Sequence, residues 1–415
     1  MASNLVVRMT DGSRIKRQSY SRLVSDLRSF SVKINRLPKL IIELTDRCNN
    51  NCQHCYINRP AQDLQAIDME MKTDFIKNLI LQAADLGCLD LRFTGGEPLL
   101  REDFSELYHF SRINGFKVLV STNARLITPD LASLFKNFPP GQPIDITVYG
   151  MSSETYDKVS RMKGSYEEFR RGVNLLVENH IDFVLRMAVL PDNQSDVPAY
   201  EDWIKNLFHD KQKPVYVTNF SLRARHDDPK KDHRIRKIRG TPEKMVEVAA
   251  RAEHYSGELR DFCRQYSGLI SDKIFECGFG QSVSIDAYGF AQGCLLLRHP
   301  DFLYTLHAGT LAEAILTFFP KFSNRRARHP FFLSRCAHCY LRGLCELCPG
   351  HSWMEHGTLD TPVEFQCRVA HAHARRLGLL TVGESGWEIA DWQSRLDGVR
   401  YITSFVDKLK IHANI

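Results

Sequence analysis

From Lys39 onward, short apolar runs alternate with helix-length segments, and this alternation constrains the fold of the 415-residue chain more than any other feature. The runs Leu40–Leu44, Leu89–Phe93, Lys117–Ser121, Ile144–Tyr149, Phe183–Val189 and Val215–Phe220 are rich in Ile, Val and Leu, as strands buried on both faces are. Between the first of them, Phe75, Ile76, Leu79, Ile80 and Ala83 form an apolar stripe that Gly87 can end. Phe104, Leu107 and Tyr108 begin another, closed by Gly115, and Ser165 with Glu168 fits a capping box ahead of Phe169, Val173 and Leu176. Six β-then-α units predict an α/β fold with a parallel sheet, because parallel neighbours need helical crossovers. Six units make either an open doubly wound sheet or an incomplete barrel, and periodicity does not choose.

After Phe220 the pattern changes. A charged, Pro-containing connector leads to a predicted helix from Pro242 to about Tyr255, then to a cysteine-rich region and a polar helical tail after His371. The expected division is an N-terminal extension (1–37), the α/β unit (38–222), a basic connector and helix (223–276), a cysteine-rich domain (277–370) and a tail (371–415). A composition of 43% hydrophobic and 25% charged residues excludes general disorder, and a net charge of +6 is too mild for a nucleic-acid binder. The surplus is local: eight Lys or Arg face three Asp between Arg223 and Arg239, and a second basic stretch runs from Lys321 to Arg335. Each reads as a solvated surface or as a docking face for an acidic partner. The first residues lack a signal-peptide core and no run of eighteen apolar residues occurs, so a cytoplasmic chain without membrane spans is expected. In that compartment thiols stay reduced, and closely spaced cysteines point to metal rather than disulfides.

There are twelve cysteines. Directly after the first strand, TDRCNNNCQHCY places Cys48, Cys52 and Cys55 in a CxxxCxxC arrangement. A structural zinc wants four protein ligands, and here the fourth would have to be His54 or a distant residue. A [4Fe–4S] cluster held by three cysteines instead keeps one iron open for an outside ligand, and an open iron means chemistry. The second strand ends in Thr94-Gly95-Gly96-Glu97-Pro98, where two glycines let a ligand approach the backbone and Glu97 offers a carboxylate to a cationic amine. The C-terminal edge of a parallel sheet is where active sites gather.

CxxxCxxC after the first strand and GGEP after the second resemble the radical S-adenosylmethionine enzymes, over about residues 38–220. The resemblance implies a partial (β/α)6 barrel and a [4Fe–4S] cluster on Cys48, Cys52 and Cys55, whose open iron is chelated by the amino and carboxylate groups of S-adenosyl-L-methionine. One-electron cleavage then gives a 5′-deoxyadenosyl radical that abstracts a substrate hydrogen, with a reductant such as flavodoxin or ferredoxin. By the same resemblance Gly95, Gly96 and Glu97 hold the methionine amino group. Ser121 and Asn123, in STNA, match the ribose- and carboxylate-binding position, and Arg161 matches an arginine that pairs with the methionine carboxylate. The residue before the third cysteine, commonly aromatic in the family, is His54, which could stack on adenine.

Seven more cysteines follow. Cys277 and Cys294 bracket Gly289, SRCAHCYLRGLCELCPGHSW supplies Cys336, Cys339, Cys345 and Cys348, and Cys367 closes the set. A zinc ribbon on Cys336, Cys339, Cys345 and Cys348 would leave the other three unexplained. The pattern resembles the SPASM domain, which holds auxiliary [4Fe–4S] clusters. That resemblance implies one cluster on Cys336, Cys339, Cys345 and Cys367 and another on Cys277, Cys294 and Cys348, the latter lacking a fourth cysteine because GFGQSVS stands where the family often has one. Cys345 and Cys348 are separated by two residues where the common pattern has three. Cys88 reads as a core residue, and Cys263 could complete the second set.

Auxiliary clusters accept electrons or ligate substrate, which suits oxidative bond formation. The CxxC-x5-CxxCPG run looks most like peptide maturases, so oxidative modification of a ribosomally made peptide (a thioether or carbon–carbon crosslink) is the expected activity. Only 47 residues precede Cys48, which predicts that a leader is held by a separate protein or by the basic stretches rather than by a full leader-binding domain. The alternatives are oxidation of a small molecule such as an alcohol or sugar, and a non-catalytic zinc-binding scaffold. Glu346, His351 and Glu355 lie near the cysteine run as possible bases.

Overall fold

The computed structural model describes residues 37–57, 59–209, 212–218, 229–252, 255, 259, 271–345 and 347–395. Its centre is a parallel sheet of β1 (Lys39–Thr45), β2 (Asp90–Gly95), β3 (Lys117–Thr122), β4 (Ile144–Val148), β5 (Phe183–Ala188) and β6 (Val215–Val217). The six predicted strands are therefore present, each within a few residues of its expected bounds. These strands lie side by side in chain order, with no reversal. A doubly wound sheet must reverse its order to place helices on both faces. Chain order with right-handed crossovers instead stacks the helices on one face, which selects the incomplete barrel.

Besides a short helix at Leu64–Met69, the helices are α1 (Thr73–Asp85), α2 (Phe104–Ile113), α3 (Pro129–Asn137), α4 (Ser153–Ser160), α5 (Ser165–Glu178) and α6 (Val197–Phe208). Ile76, Leu79, Ile80 and Ala83 of α1 are buried, as the stripe predicts, and Gly87 and Gly115 take positive φ past the ends of α1 and α2. Leu40, Ile42, Leu91, Phe93, Val118, Val120, Ile144 and Ile146 point into this helical layer and are almost wholly buried. In these six strands, burial on both faces is confined to strand ends such as Glu43 and Thr45 of β1. Ile41, Arg92, Leu119, Ser121, Asp145, Val184 and Arg186, on the opposite face, all keep partial exposure.

The capping box expected of Ser165 and Glu168 does not form. Asp157 of α4 reaches across, accepting from the Gly164 and Tyr166 backbone N–H groups at 2.6 and 3.0 Å and from Ser165 Oγ at 2.8 Å. A carboxylate from the preceding helix thus caps α5, and Glu168 is left for a different partner. Capping boxes do form at Ser152 with Thr155, at the start of α4, and at Thr310 with Glu313.

The connector contains a helix not anticipated from its charge, α7 (Pro229–Ile238), and the helix expected to reach Tyr255 runs Pro242–Ala249 (α8). Beyond it, β7 (Val283–Ile285), β8 (Phe290–Gln292) and β9 (Leu303–Thr305) extend the main sheet. β7 lies parallel to β1, with Leu40, Ile41 and Ile42 opposite Val283, Ser284 and Ile285. The cysteine-rich region is thus joined to the barrel by a β-ladder. The longer helices α9 (Pro349–His356) and α10 (Glu364–Arg376) follow, α10 running across the boundary expected at residue 371. Among the described residues no helix is long and apolar enough to cross a membrane.

Candidate active site

The chain leaves β1 at Thr45 and turns through a loop that carries Cys48, Cys52 and Cys55. Its entry is fixed by Glu70, which accepts from Thr45 Oγ1, from Arg47 Nε at 2.8 Å and from Arg101 Nη1 at 3.4 Å. Its middle is hung on the C-terminal end of α4, where Asn51 N–H donates to the Ser160 carbonyl (2.9 Å) and Gln53 N–H to that of Val159 (3.0 Å). Helix C-terminal carbonyls lack intrahelical partners, so they are free to anchor a loop.

Arg125, just past the STNA segment, is the residue that sequence reading missed. Buried, it donates to the Asn49 carbonyl and Asn50 Oδ1 and is paired with Glu168, tying loop, β3 and α5 together. Its signal was adjacency to Asn123. Asn123 itself is buried; its Nδ2 donates to Asn49 Oδ1 at 2.7 Å and points at Cys48 Sγ, 3.8 Å away. Between them Ala124 adopts φ 63°, a left-handed conformation rare for a residue with a Cβ. Gly172 of α5 makes room for this turn, since a Cβ there would lie 2.0 Å from the Ala124 carbonyl oxygen.

The two glycines of GGEP serve a packing purpose that their sequence position did not announce. A Cβ on Gly95 would stand 2.2 Å from the Thr45 oxygen, and one on Gly96 2.2 Å from the Arg47 oxygen. They permit backbone to approach backbone, bringing the end of β2 against the cysteine loop, with Gly96 and Glu97 N–H groups donating to the Thr45 and Arg47 carbonyls. Glu97 is wholly buried and accepts from Thr122 Oγ1 (2.7 Å), Asn123 N–H (2.8 Å) and Leu99 N–H (3.2 Å). Burial raises its carboxyl pKa to about 7, against the pull of these donors and of Arg125.

The other expected contacts are spread. His54 packs its ring 5.7 Å from that of Tyr149, and burial lowers its pKa to about 4, which keeps the imidazole neutral. Ser121 lies on the open face of β3 and accepts from Arg92 Nε at 2.9 Å. Arg161 is exposed, in the left-handed conformation that ends α4, one residue beyond the Ser160 carbonyl that holds the cysteine loop.

The sulfurs fall into groups. All eleven described cysteines are free thiols. Burial pushes the Cys52 thiol up to about 12 and Cys48 well above its ordinary value, with the neighbouring thiols of the same loop adding to both. Cys339 is raised to about 12 by burial, with Cys367 and Cys336 adding to it, and Cys348 to about 12 by burial with Cys294 and Cys277. The expected partition thus brings Cys336, Cys339 and Cys367 together, and separately Cys277, Cys294 and Cys348. The first three, with Cys345 and Cys348, line a narrow gap of about 40 Å³. The second three, with Cys345, line a cavity of about 610 Å³ that reaches Ile41 of β1 and Ser284 of β7. Cys345 and Cys348 therefore face both spaces. Cys263 and Glu346 lie outside the described residues. His351 is buried beside the narrow gap, and Glu355 is paired with Arg239 at 2.6 Å.

These thiols suit a cluster chemically. Crowding buried thiols is unfavourable to each thiolate, and bound iron is what makes such groups ionise. Donors already point at three of the sulfurs: Asn50 N–H at Cys48 Sγ (3.3 Å), Leu296 N–H at Cys294 Sγ (3.4 Å) and Arg335 Nη2 at Cys367 Sγ (3.8 Å). Cys88 behaves oppositely, its Sγ donating to the Asp90 carbonyl at 3.3 Å as a protonated core thiol does. Among the described residues no three His, Cys, Asp or Glu side chains converge as ligands of one metal ion. The ligands of a four-iron cluster each take a different iron.

Residues 42–204 match the family model described as the Radical SAM superfamily. That stretch is thus similar to the radical SAM domain, a family whose chemistry rests on a [4Fe–4S] cluster and S-adenosylmethionine. Fe-coproporphyrin III synthase of Methanosarcina barkeri is 32% identical over 203 residues, 48% of this chain and 48% of that protein. The antilisterial bacteriocin subtilosin biosynthesis protein AlbA of Bacillus subtilis is 23% identical over 313 residues, 73% of this chain and 67% of that one. The chain spans about half the length, or less, of the heme-related relatives it matches. Among solved structures, native anSMEcpe with bound AdoMet superposes with a TM-score of 0.56 at 13% identity, covering 88% of this chain and 99% of that one. Streptococcus suis SuiB bound to precursor peptide SuiA gives a TM-score of 0.56 at 14% identity, covering 76% and 72%. At these identities the structural likeness is one of fold.

Proposed function

We propose that this chain is a radical S-adenosylmethionine oxidoreductase of the SPASM type that crosslinks a ribosomally made peptide oxidatively, with two auxiliary [4Fe–4S] clusters. The observation that carries the reading is the grouping of the C-terminal sulfurs, with Cys336, Cys339 and Cys367 on a narrow gap, Cys277 and Cys294 on a larger cavity that reaches the barrel's sheet, and Cys345 and Cys348 lining both. The match to AlbA supports it, because that match extends over 73% of the chain rather than the radical SAM domain alone. SuiB, a protein solved with its precursor peptide, shares the fold.

In this reading Cys48, Cys52 and Cys55 hold the catalytic cluster. Cys336, Cys339, Cys345 and Cys367 hold one auxiliary cluster, and Cys277, Cys294 and Cys348 hold the other. When bound, the catalytic cluster and S-adenosylmethionine supply one-electron, hydrogen-abstracting chemistry. The chain's own part is to position them. Asn123 and Arg125 fix the loop, the backbone of Gly95 and Gly96 and the Glu97 carboxylate receive the methionine amino group, and His54 flanks the adenine. Ser121 and Arg161 serve the ribose and carboxylate, Arg161 by swinging in from its exposed position. The 610 Å³ cavity beside the three-cysteine set gives a substrate side chain room to reach those sulfurs. A peptide substrate and a small electron-transfer protein are the partners this reading proposes.

Anaerobically purified protein should contain close to twelve irons, the sum of three four-iron clusters. With dithionite it should convert S-adenosylmethionine to 5′-deoxyadenosine, and a Cys48→Ala, Cys52→Ala, Cys55→Ala variant should not. Mass spectrometry of a short peptide encoded beside the gene should show the loss of two hydrogens per crosslink. Stoichiometric zinc without iron would sink the enzyme reading.

A second reading, oxidation of a small molecule, draws support from the 32% identity to Fe-coproporphyrin III synthase. It predicts turnover of a carboxylated tetrapyrrole and no change in the peptide.

A further inference from the structure

An all-parallel sheet is normally covered on both faces. Here the face of β2 to β5 opposite the helices is open, and its central side chains are charged. Asp145 of β4 stands between two arginines, with Arg186 Nε of β5 at 2.7 Å and Arg92 Nη2 of β2 at 3.3 Å. Arg92 also donates to Ser121 Oγ. Asp145 lies level with Ser121 in the ladder, two residues below Asn123. At about 3.3 Å per residue, the row sits about 7 Å beneath the edge where Asn123 meets the cysteine loop.

The row is unbalanced, two cations to one anion. The side chain of Asp145 is 14% exposed and that of Arg186 42%. Among the described residues Arg186 spends only Nε on the protein, so the four N–H bonds of its terminal nitrogens face the open groove. A lumen built only for packing would carry apolar side chains here, as the opposite face does. We propose that Arg186, held by Asp145 and assisted by Arg92, anchors a carboxylate of the substrate. A planar guanidinium matches a carboxylate in a two-bond fork, and one monoanion would neutralise the row's surplus charge. The Cys48 loop, GGEP and STNA crowd the edge above β1 to β3, whereas Arg186 lies two strands further along, on the side left for substrate.

This inference rests on the open face of the radical SAM sheet receiving substrate, and not on the peptide reading. A carboxylate could come from an acidic residue of a peptide or from a tetrapyrrole side chain, so the test has two arms. Binding to the full, anaerobically reconstituted protein is measured for coproporphyrin III against its tetramethyl ester, and for a fluorescent glutamate-containing decapeptide against its glutamine counterpart. In at least one arm the acid should bind about tenfold more tightly than the neutral partner. Arg186→Gln should erase that preference, Arg186→Lys should restore part of it, and Asp145→Asn, which raises the row's charge, should widen it. Iron content and melting temperature report whether each variant is folded. Should Arg186→Gln not fold, the opposite signs of the Arg186→Lys and Asp145→Asn effects decide alone. The anchor is overturned by no acid preference in either arm, by a preference indifferent to Arg186 and Asp145, or by a loss confined to S-adenosylmethionine affinity. A preference in the tetrapyrrole arm alone keeps the anchor and removes the peptide reading; a preference in the peptide arm keeps both.

Discussion

Arg125 and Gly172 show how much of the cysteine loop depends on groups outside it. The Arg125 guanidinium is buried and serves the Asn49 carbonyl, Asn50 Oδ1 and Glu168 together. Arg125→Gln can serve at most one of these, leaving a buried carbonyl unpaired at a cost of about 1–3 kcal/mol. We expect a lower melting temperature and reduced iron retention per chain, with Arg125→Lys intermediate because it keeps charge but not the fork. Gly172→Ala forces its Cβ into the Ala124 carbonyl, 2.0 Å away. The backbone must move there, at about 1–3 kcal/mol, and the turn carrying Asn123 moves with it. Thermal unfolding and iron content measure both effects. An unchanged Gly172→Ala protein would show that the Ala124 turn tolerates displacement.

At the scale of elements, the six central strands were legible because Ile, Val and Leu runs ended by turns report strands directly. The cysteine spacings were equally legible, since ligands of one cluster on one loop must be close in sequence. What escaped depended on partners far along the chain. Strand order, which separates barrel from doubly wound sheet, leaves no periodicity. Asp157 caps a helix eight residues away, and Arg125 finds Glu168 across 43 positions. Strands of three residues, such as β7 to β9, are too short to show a period of two. The α10 helix carries a prediction of its own. His373 packs beneath Tyr255, its Nδ1 2.7 Å from the hydroxyl, and burial lowers its pKa to about 4. The unfolded ring titrates near 6.5, so the fold holds a neutral ring that the unfolded chain protonates first. The stability this contributes is complete above about pH 6.5 and is lost as the pH falls toward about 4. Wild type should therefore lose melting temperature over that window more steeply than His373→Gln.

At the scale of the whole molecule, a buried ion pair links the barrel and the cysteine-rich region. Arg298, just past Cys294, donates to both oxygens of the fully buried Glu43 on β1. Burial raises the Glu43 carboxyl pKa, and the Arg298 charge draws it back. Arg298→Met removes the partner and should cost about 3–5 kcal/mol, whereas Glu43→Leu with Arg298→Met should recover most of that stability. Urea unfolding of the three proteins tests this, and equal losses in single and double variants would show that the pair is not coupled. A truncation after residue 276 should fare worse, since it strips β7 from β1 and leaves an open strand edge, a template for aggregation.

The pairing of β7 with β1 also bears on how such a chain can change length. Val283 and Ile285 face the helical layer and Ser284 faces the cavity, an alternation set by three paired positions. Deleting one residue within β7 would turn both apolar side chains into the cavity and the serine into the core. Insertions and deletions that natural variation could tolerate are therefore confined to the turns on either side of these three residues, so the spacing from β7 to Cys277 or Cys294 can change only there, while the three-residue rung itself keeps its length.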